Sequence, residues 1–208
     1  MWRKFAEVIF WVGLSVYFGG LVAVGAIVAP AVFQSATNAH VSMPGIASPP
    51  LDMPREVGGE IFGAVLNRFA YLEAAALVLM FIGLAAWILG NRHVRWGTWL
   101  LLALWSLVAA LTIYDSASLR PRVWELRQAR RDTAAAHASA APNTPWPEDI
   151  EFDGLHRRSE MLGRVKAYAL LAMLLITAWR SLRSRAESRP GDAPQFRDPL
   201  IRTMSKQP

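Results

Sequence analysis

Apolar residues gather into four runs separated by polar stretches: Val8 to Phe33, Phe69 to Leu89, Trp96 to Tyr114, and a shorter run from Ala167 to Trp179. About 20 consecutive apolar residues suffice for an α-helix to cross a hydrocarbon layer roughly 30 Å thick. The pattern predicts an all-α, polytopic membrane protein, a four-helix transmembrane bundle in one domain over residues 1–180. Its helices are expected at about 5–33, 59–90, 96–115 and 154–180, with a helical extra-membrane extension after the third, an amphipathic helix at about 121–137. Residues 181–208, polar and rich in Arg and Pro, read as a disordered cytoplasmic tail.

The fourth run is the anomaly. About 13 apolar residues cover roughly 20 Å, so Glu160 to Lys166 must also lie at membrane depth, shielded by neighbouring helices or by water. Helical periodicity places His156, Ser159, Glu160 and Gly163 on one face that continues into Ala167 and Leu170. Small and polar groups on one side of a spanning helix face other helices or a water-filled cavity; a solvated helix start is the plainer alternative. Asp153 is positioned to cap this helix, after the acidic residues Glu148, Asp149 and Glu151.

The other runs carry their own signals. In the first helix Ser15, Gly19, Ala23, Ala26 and Pro30 recur at spacings of three and four, which predicts a close-packing face, and Pro30 is expected to kink or end the helix near Gln34. The second helix begins at Gly59-Glu60-Ile61-Phe62-Gly63. Glu60, Asn67 and Tyr71 share a face, Arg68 lies to one side, and Glu73 falls about one turn inside the hydrocarbon. An ionised Glu73 there calls for a partner, for which Arg68, Arg164 and Lys166 are available; the alternatives are protonation or snorkelling. The third helix ends near Asp115. The basic piece beyond it, with Arg120, Arg122, Arg127, Arg130 and Arg131, either lies on headgroups or folds over the outer mouth to pair with the acidic run that follows the Ala/Pro-rich linker Ala134 to Pro147.

Charge and composition narrow the function classes. The net charge of +6 comes from Arg-rich runs flanking apolar segments, which is membrane-flanking charge and not a nucleic-acid surface. The early Arg3 and Lys4 and the short basic connection Arg92 to Arg95 assign both termini to the cytoplasm of a bacterial-type inner (plasma) membrane, with Trp2, Trp87, Trp96, Trp99 and Trp179 as an aromatic belt. The uncharged run beginning at Val8 exceeds the roughly 7 to 15 residues of a signal-peptide core, so it reads as a retained helix. With no cysteine, disulfides and thiol chemistry are excluded. From Ser35 to Gly59 the chain reads as a loop, in which His40, Met43 and Met53 are a weak soft-metal set against an ordinary loop.

Several of these segments resemble a known family. Gly19-Gly20-Leu21-Val22 followed by Ala29-Pro30-Ala31-Val32-Phe33, the Gly59 to Gly63 helix start, Arg120-Pro121-Arg122, and Phe152-Asp153-Gly154-Leu155-His156-Arg157-Arg158-Ser159 are similar to the transmembrane protein 205-like family, a membrane domain of unknown function. The resemblance runs from about Phe10 to Trp179, and its most specific element is Phe152, Leu155, His156 and Ser159, with Pro30 and Phe33 in the first helix. It implies a four-helix membrane module and no established reaction. Where the family pattern carries an Asn after Ser159, this chain reads Glu160-Met161-Leu162-Gly163-Arg164.

Three functional expectations follow. Gln34, Glu60, Asn67, Arg68, Glu73, Asp115, His156, Ser159 and Glu160 would line a polar outer-leaflet cavity for a small solute, an ion or a lipid headgroup. Alternatively the same groups fasten helices in a non-catalytic scaffold, with a membrane protein or a second copy as partner. A metal- or haem-dependent enzyme is the third class, weakened because His156 is the single histidine near membrane depth. No catalytic spacing or metal motif appears, so no catalytic residue, metal ligand or cofactor is assigned. The expected surroundings are the lipid bilayer and no nucleic acid.

Overall fold

A computed structural model describes the backbone of residues 2–38, 53–90, 96–137 and 147–187, and the side chains of residues 2, 4–38, 57–90, 96–129 and 150–183. Of the copper-type set, His40, Met43 and the side chain of Met53 lie outside them, as do the basic connection Arg92 to Arg95, the side chains of Glu148 and Asp149, and the tail beyond Glu187; the backbone of Met53 to Gly59, expected as loop, is helical. The described chain is helical throughout, without strands. Helix α1 (Trp2–Ala23) leads through a π-turn, Val24–Val28, into α2 (Ala29–Asn38); α3 spans Met53–Leu89; α4 (Trp96–Tyr114) leads through a second π-turn, Asp115–Leu119, into α5 (Arg120–His137); α6 spans Pro147–Glu187. Among the described residues four helical stretches are long and apolar enough to cross a membrane: Lys4–Asn38, Val57–Leu89, Trp96–Ala129 and Ile150–Arg183. The protein is an all-α four-helix bundle and an integral membrane protein.

Pro30 was expected to kink or end the first helix and a second piece was expected to begin near Pro121, yet both helices continue through their prolines. In each the peptide N–H just before the proline reaches back five residues: Ala29 N–H donates to Val24 O, and Arg120 N–H donates to Asp115 O. Pro30 and Pro121 follow directly. A proline inside an α-helix loses its own hydrogen bond and drives its ring against the carbonyl four residues earlier. A single wider π-turn relieves that clash while the helix continues. Consequently the basic segment after Asp115 continues the helix of the third span and is not a separate helix.

The last helix also starts earlier than expected. Pro147 opens it, a position where the missing N–H costs nothing because first-turn donors have no partner in the helix. Asp153 therefore lies within the helix and is not its cap. The helix runs to Glu187, past the expected end at about residue 180. By packing, the chain forms two units, Met1–Leu174 and Leu175–Pro208. The first holds all the features discussed below.

Within the first unit α1 and α3 approach most closely, and glycine makes this possible. A Cβ on Gly13 would lie 2.8 Å from Ala76 O, and one on Gly83 would lie 2.7 Å from Phe10 Cβ and 2.8 Å from Ala6 O. Ala6, Phe10, Leu14 and Tyr17 are buried on the same side of α1. This corrects the expected packing face. Ser15, Gly19, Ala26 and Pro30 are exposed, and nothing lies within 4 Å of where a Gly19 Cβ would be. The aromatic belt is corrected at one position as well: Trp2, Trp96 and Trp99 are exposed, but Trp87 is buried.

Candidate functional site

Four ionisable side chains meet inside the bundle. Glu73 comes from α3, Asp115 from the first residue of the second π-turn, Arg120 from the start of α5, and Lys166 from α6. Glu73 is 1% exposed and the Lys166 side chain 4%, whereas Arg120, at 18%, reaches outward. The contacts form a closed ring of alternating charge. Arg120 Nη2 donates to Glu73 Oε2 at 2.9 Å and to Asp115 Oδ2 at 3.0 Å; Lys166 Nζ donates to Glu73 Oε1 and to Asp115 Oδ2, both at 3.3 Å. Arg120 adds a bond from Nε to Asp115 Oδ2 at 3.2 Å and one from Nη1 to the Leu66 carbonyl at 3.2 Å.

The ring is neutral, with two carboxylates against two cations. That balance is what permits burial. An isolated ion in an apolar interior costs several kcal/mol even after relaxation, and attraction offsets this only when the geometry is close and the remaining polar atoms are satisfied. Glu73 lies about 24 Å along its helix from Leu89. Toward the interior, the Tyr17 hydroxyl hydrogen-bonds Thr112, which in turn donates to the Val108 carbonyl at 2.8 Å. Through Thr112, Tyr17 of α1 is tied to α4.

Of the three candidate partners for Glu73, Lys166 is the one found on it. Arg68 and Arg164 do not serve, since both are exposed. Arg120 and Tyr17 are the members that sequence reasoning missed.

Of the nine residues expected around a polar cavity, the structure joins only Glu73 and Asp115 in direct contact with the same cations. Gln34, Asn67, Arg68, His156 and Glu160 are exposed, and Glu60 and Ser159 are half-buried. On α6 the buried line passes through Lys166, Ala169, Leu170 and Met173. His156 and Glu160 instead face outward and pair with each other at 3.3 Å, with Arg164 3.6 Å from Glu160. The predicted face was turned by about one residue, 100° on an α-helix.

A second cluster explains several motif residues. Arg127 Nη1 donates to the Gly59 carbonyl at 2.7 Å, and a Cβ on Gly59 would fall 2.9 Å from that guanidinium. The same guanidinium lies 5.8 Å from the centre of the Phe152 ring, and the Phe152 and His156 rings stack with centroids 6.0 Å apart. On the neighbouring side Phe33 packs against Phe62, at 6.1 Å between centroids, and against Gly58, where a Cβ would lie 2.8 Å from its ring. Arg122 reaches Glu151 at 3.0 Å, so the basic extension does pair with the acidic run, through two exposed side chains. Gly59, Phe33 and Phe152 thus form an aromatic and cationic collar that ties α2, α3, α5 and α6 together. Compared with known proteins, the chain matches no family model, no curated protein and no solved structure.

Proposed function

We propose that the protein binds a small solute, an ion or a lipid headgroup at the outer-leaflet end of its bundle, for transport or sensing, and that the ring of Glu73, Asp115, Arg120 and Lys166 is the binding machinery. The supporting observation is the burial of four ionisable side chains, three of them almost completely, in an otherwise apolar bundle. Charged groups at membrane depth are costly and mark ion or solute pathways more often than they mark mere attachment. Arg120 supplies the partly exposed edge through which a ligand reaches the ring. The resemblance to the transmembrane protein 205-like family agrees with this architecture and adds no reaction. The setting we infer is a plasma membrane with both termini cytoplasmic and the ring toward the opposite face.

The neutrality of the ring favours a second reading, a scaffold in which the four charges lock α3, the second π-turn and α6, with a membrane protein or a second copy as partner. The two readings separate in a thermal-unfolding screen of the full chain in lipid nanodiscs against inorganic ions, small polar solutes and soluble lipid headgroups. A binder raises the unfolding temperature with ligand concentration, and Lys166→Met abolishes the rise. If no class shifts the wild-type protein while Lys166→Met is merely less stable, the scaffold reading replaces the binding one.

A further inference from the structure

The ring is satisfied at every carboxylate oxygen but one. Glu73 divides its oxygens, Oε2 to Arg120 and Oε1 to Lys166. Asp115 takes both cations on Oδ2, which accepts from Arg120 Nε, Arg120 Nη2 and Lys166 Nζ, while its Oδ1 is buried and has no hydrogen-bond partner among the described residues. The guanidinium is not free to turn toward Oδ1, since its Nη1 is held by the Leu66 carbonyl. The surface of the bundle is nonetheless one residue away. Ser116, Ala117 and Ser118 of the same turn are exposed, and Arg120 just beyond it is partly so. A buried charged acceptor without a donor is costly, and a ligand that supplies the donor relieves that cost.

The charges around Oδ1 select what can bind there. A cation would be drawn by Asp115 and Glu73 and repelled by Arg120 and Lys166, which sit on the same two carboxylates. These influences nearly cancel, so nothing offsets the loss of the cation's hydration. An anion would meet an acceptor with no donor to give it. An uncharged O–H or N–H group escapes both penalties: it donates to an ionised oxygen, one of the stronger hydrogen bonds available, and leaves the neutrality of the ring unchanged. We propose that Asp115 Oδ1 is the ligand contact of the ring and that it takes an uncharged donor, the hydroxyl or amide N–H of a neutral solute or of a neutral lipid headgroup. This rests on reading the ring as binding machinery, and it narrows the ligand from ions to neutral polar molecules.

The two oxygens of Asp115 therefore have separate tasks: Oδ2 holds the ring together and Oδ1 receives the ligand. Asp115→Asn turns this division into a prediction. The amide oxygen of an asparagine must face the donors that Oδ2 now meets, Arg120 Nε, Arg120 Nη2 and Lys166 Nζ, so its NH2 group takes the place of Oδ1. An acceptor becomes a donor, and the ring passes from zero net charge to +1. The variant should reject the ligands that the native protein takes and accept anions instead.

The test uses three probes of one shape and different charge, acetamide, acetate and acetamidinium, with the full chain in phosphatidylcholine nanodiscs. Saturation-transfer NMR at the probe's methyl protons should show binding of acetamide and of neither ion. In Asp115→Asn the acetamide signal should be lost and an acetate signal should appear. If that variant does not fold, infrared difference spectra of the native chain decide the matter: acetamide should shift a carboxylate band that moves when the aspartate carboxyl carbons are labelled with carbon-13. Adding diacylglycerol, whose free hydroxyl is uncharged, separates the two sources. Displacement of acetamide assigns the donor to a lipid, retention assigns it to a dissolved solute, and both support the proposal. Binding of either ion in place of acetamide, acetamide binding unchanged in Asp115→Asn, no response to acetamide, or no label-sensitive shift overturns it. An ion that stabilises the protein in the thermal screen would then keep the ring as binding machinery while this inference falls.

Discussion

Asp115 and Arg120 stand five residues apart in one unbroken helix and nevertheless form a direct ion pair at 3.0 Å. On an α-helix the residues that meet are three or four apart. The pair exists because the turn between them is a π-turn, whose backbone bond from Arg120 N–H to Asp115 O spans that same interval. Pro121 sets the turn and the turn sets the pair.

Breaking the ring on one side should cost more than breaking it on both. Lys166→Met leaves two carboxylates facing Arg120 alone, a loss of about 3–5 kcal/mol for a buried pair deprived of one partner. Adding Glu73→Gln restores neutrality, so the double variant should be more stable than Lys166→Met. Glu73→Lys, which sets three cations around Asp115, should yield little folded protein. Denaturant unfolding in mixed micelles measures the coupling; strictly additive losses would mean that the ring contributes nothing as a unit.

The α1–α3 contact makes a contrast among glycines. Gly83→Ala and Gly13→Ala push a methyl group against backbone at 2.8 Å and should destabilise by about 1–3 kcal/mol, offset in part by alanine's helix preference of about 1 kcal/mol. Gly19→Ala meets nothing and should be neutral or slightly stabilising. Thermal unfolding of the three variants side by side reads the difference.

At the collar, Arg127→Ala should lower stability by about 2–4 kcal/mol, from a charged hydrogen bond of roughly 1.5–3 kcal/mol together with a cation–π contact of about 0.5–1 kcal/mol. Arg127→Lys should recover only part of this, because a point charge cannot both reach the Gly59 carbonyl and lie flat over Phe152. Equal stability of Arg127→Lys and the native protein would assign the contact to charge alone.

Reporter fusions at Ser48, Arg92, Pro142 and the C-terminus should read outside, inside, outside and inside. An outside C-terminus would reverse the orientation and leave the four spans intact.

What the sequence disclosed follows from which forces act locally. The four spans were legible because burial in lipid demands long apolar runs, and the need of Glu73 for a partner was legible from its place in such a run, although Lys166 was only one of three candidate cations. Arg120 was hidden among neighbouring arginines beyond the apparent end of the third helix, where a proline made a break the natural expectation. Only the π-turn brings it back to the bundle. On α1 the small residues Ser15 and Gly19 drew attention away from Gly13, although Tyr17, a hydroxyl in the middle of an apolar run, marked the side that meets the polar network. His156 carried the family motif but owes its place to stacking on Phe152, an arrangement that depends on α6 beginning at Pro147.

Each π-turn is equivalent to a single inserted residue, and the insertion changes how the helix around it is read. The side chains before Asp115 and those after Leu119 follow two different helical phases, offset by about 100°, the rotation of one α-helical residue. A heptad pattern drawn straight through the third span therefore goes out of register at the point where the ring assembles. Deleting Ala117 would set Asp115 and Arg120 four residues apart, the ordinary contact spacing of an α-helix, and would remove the wider turn that accommodates Pro121.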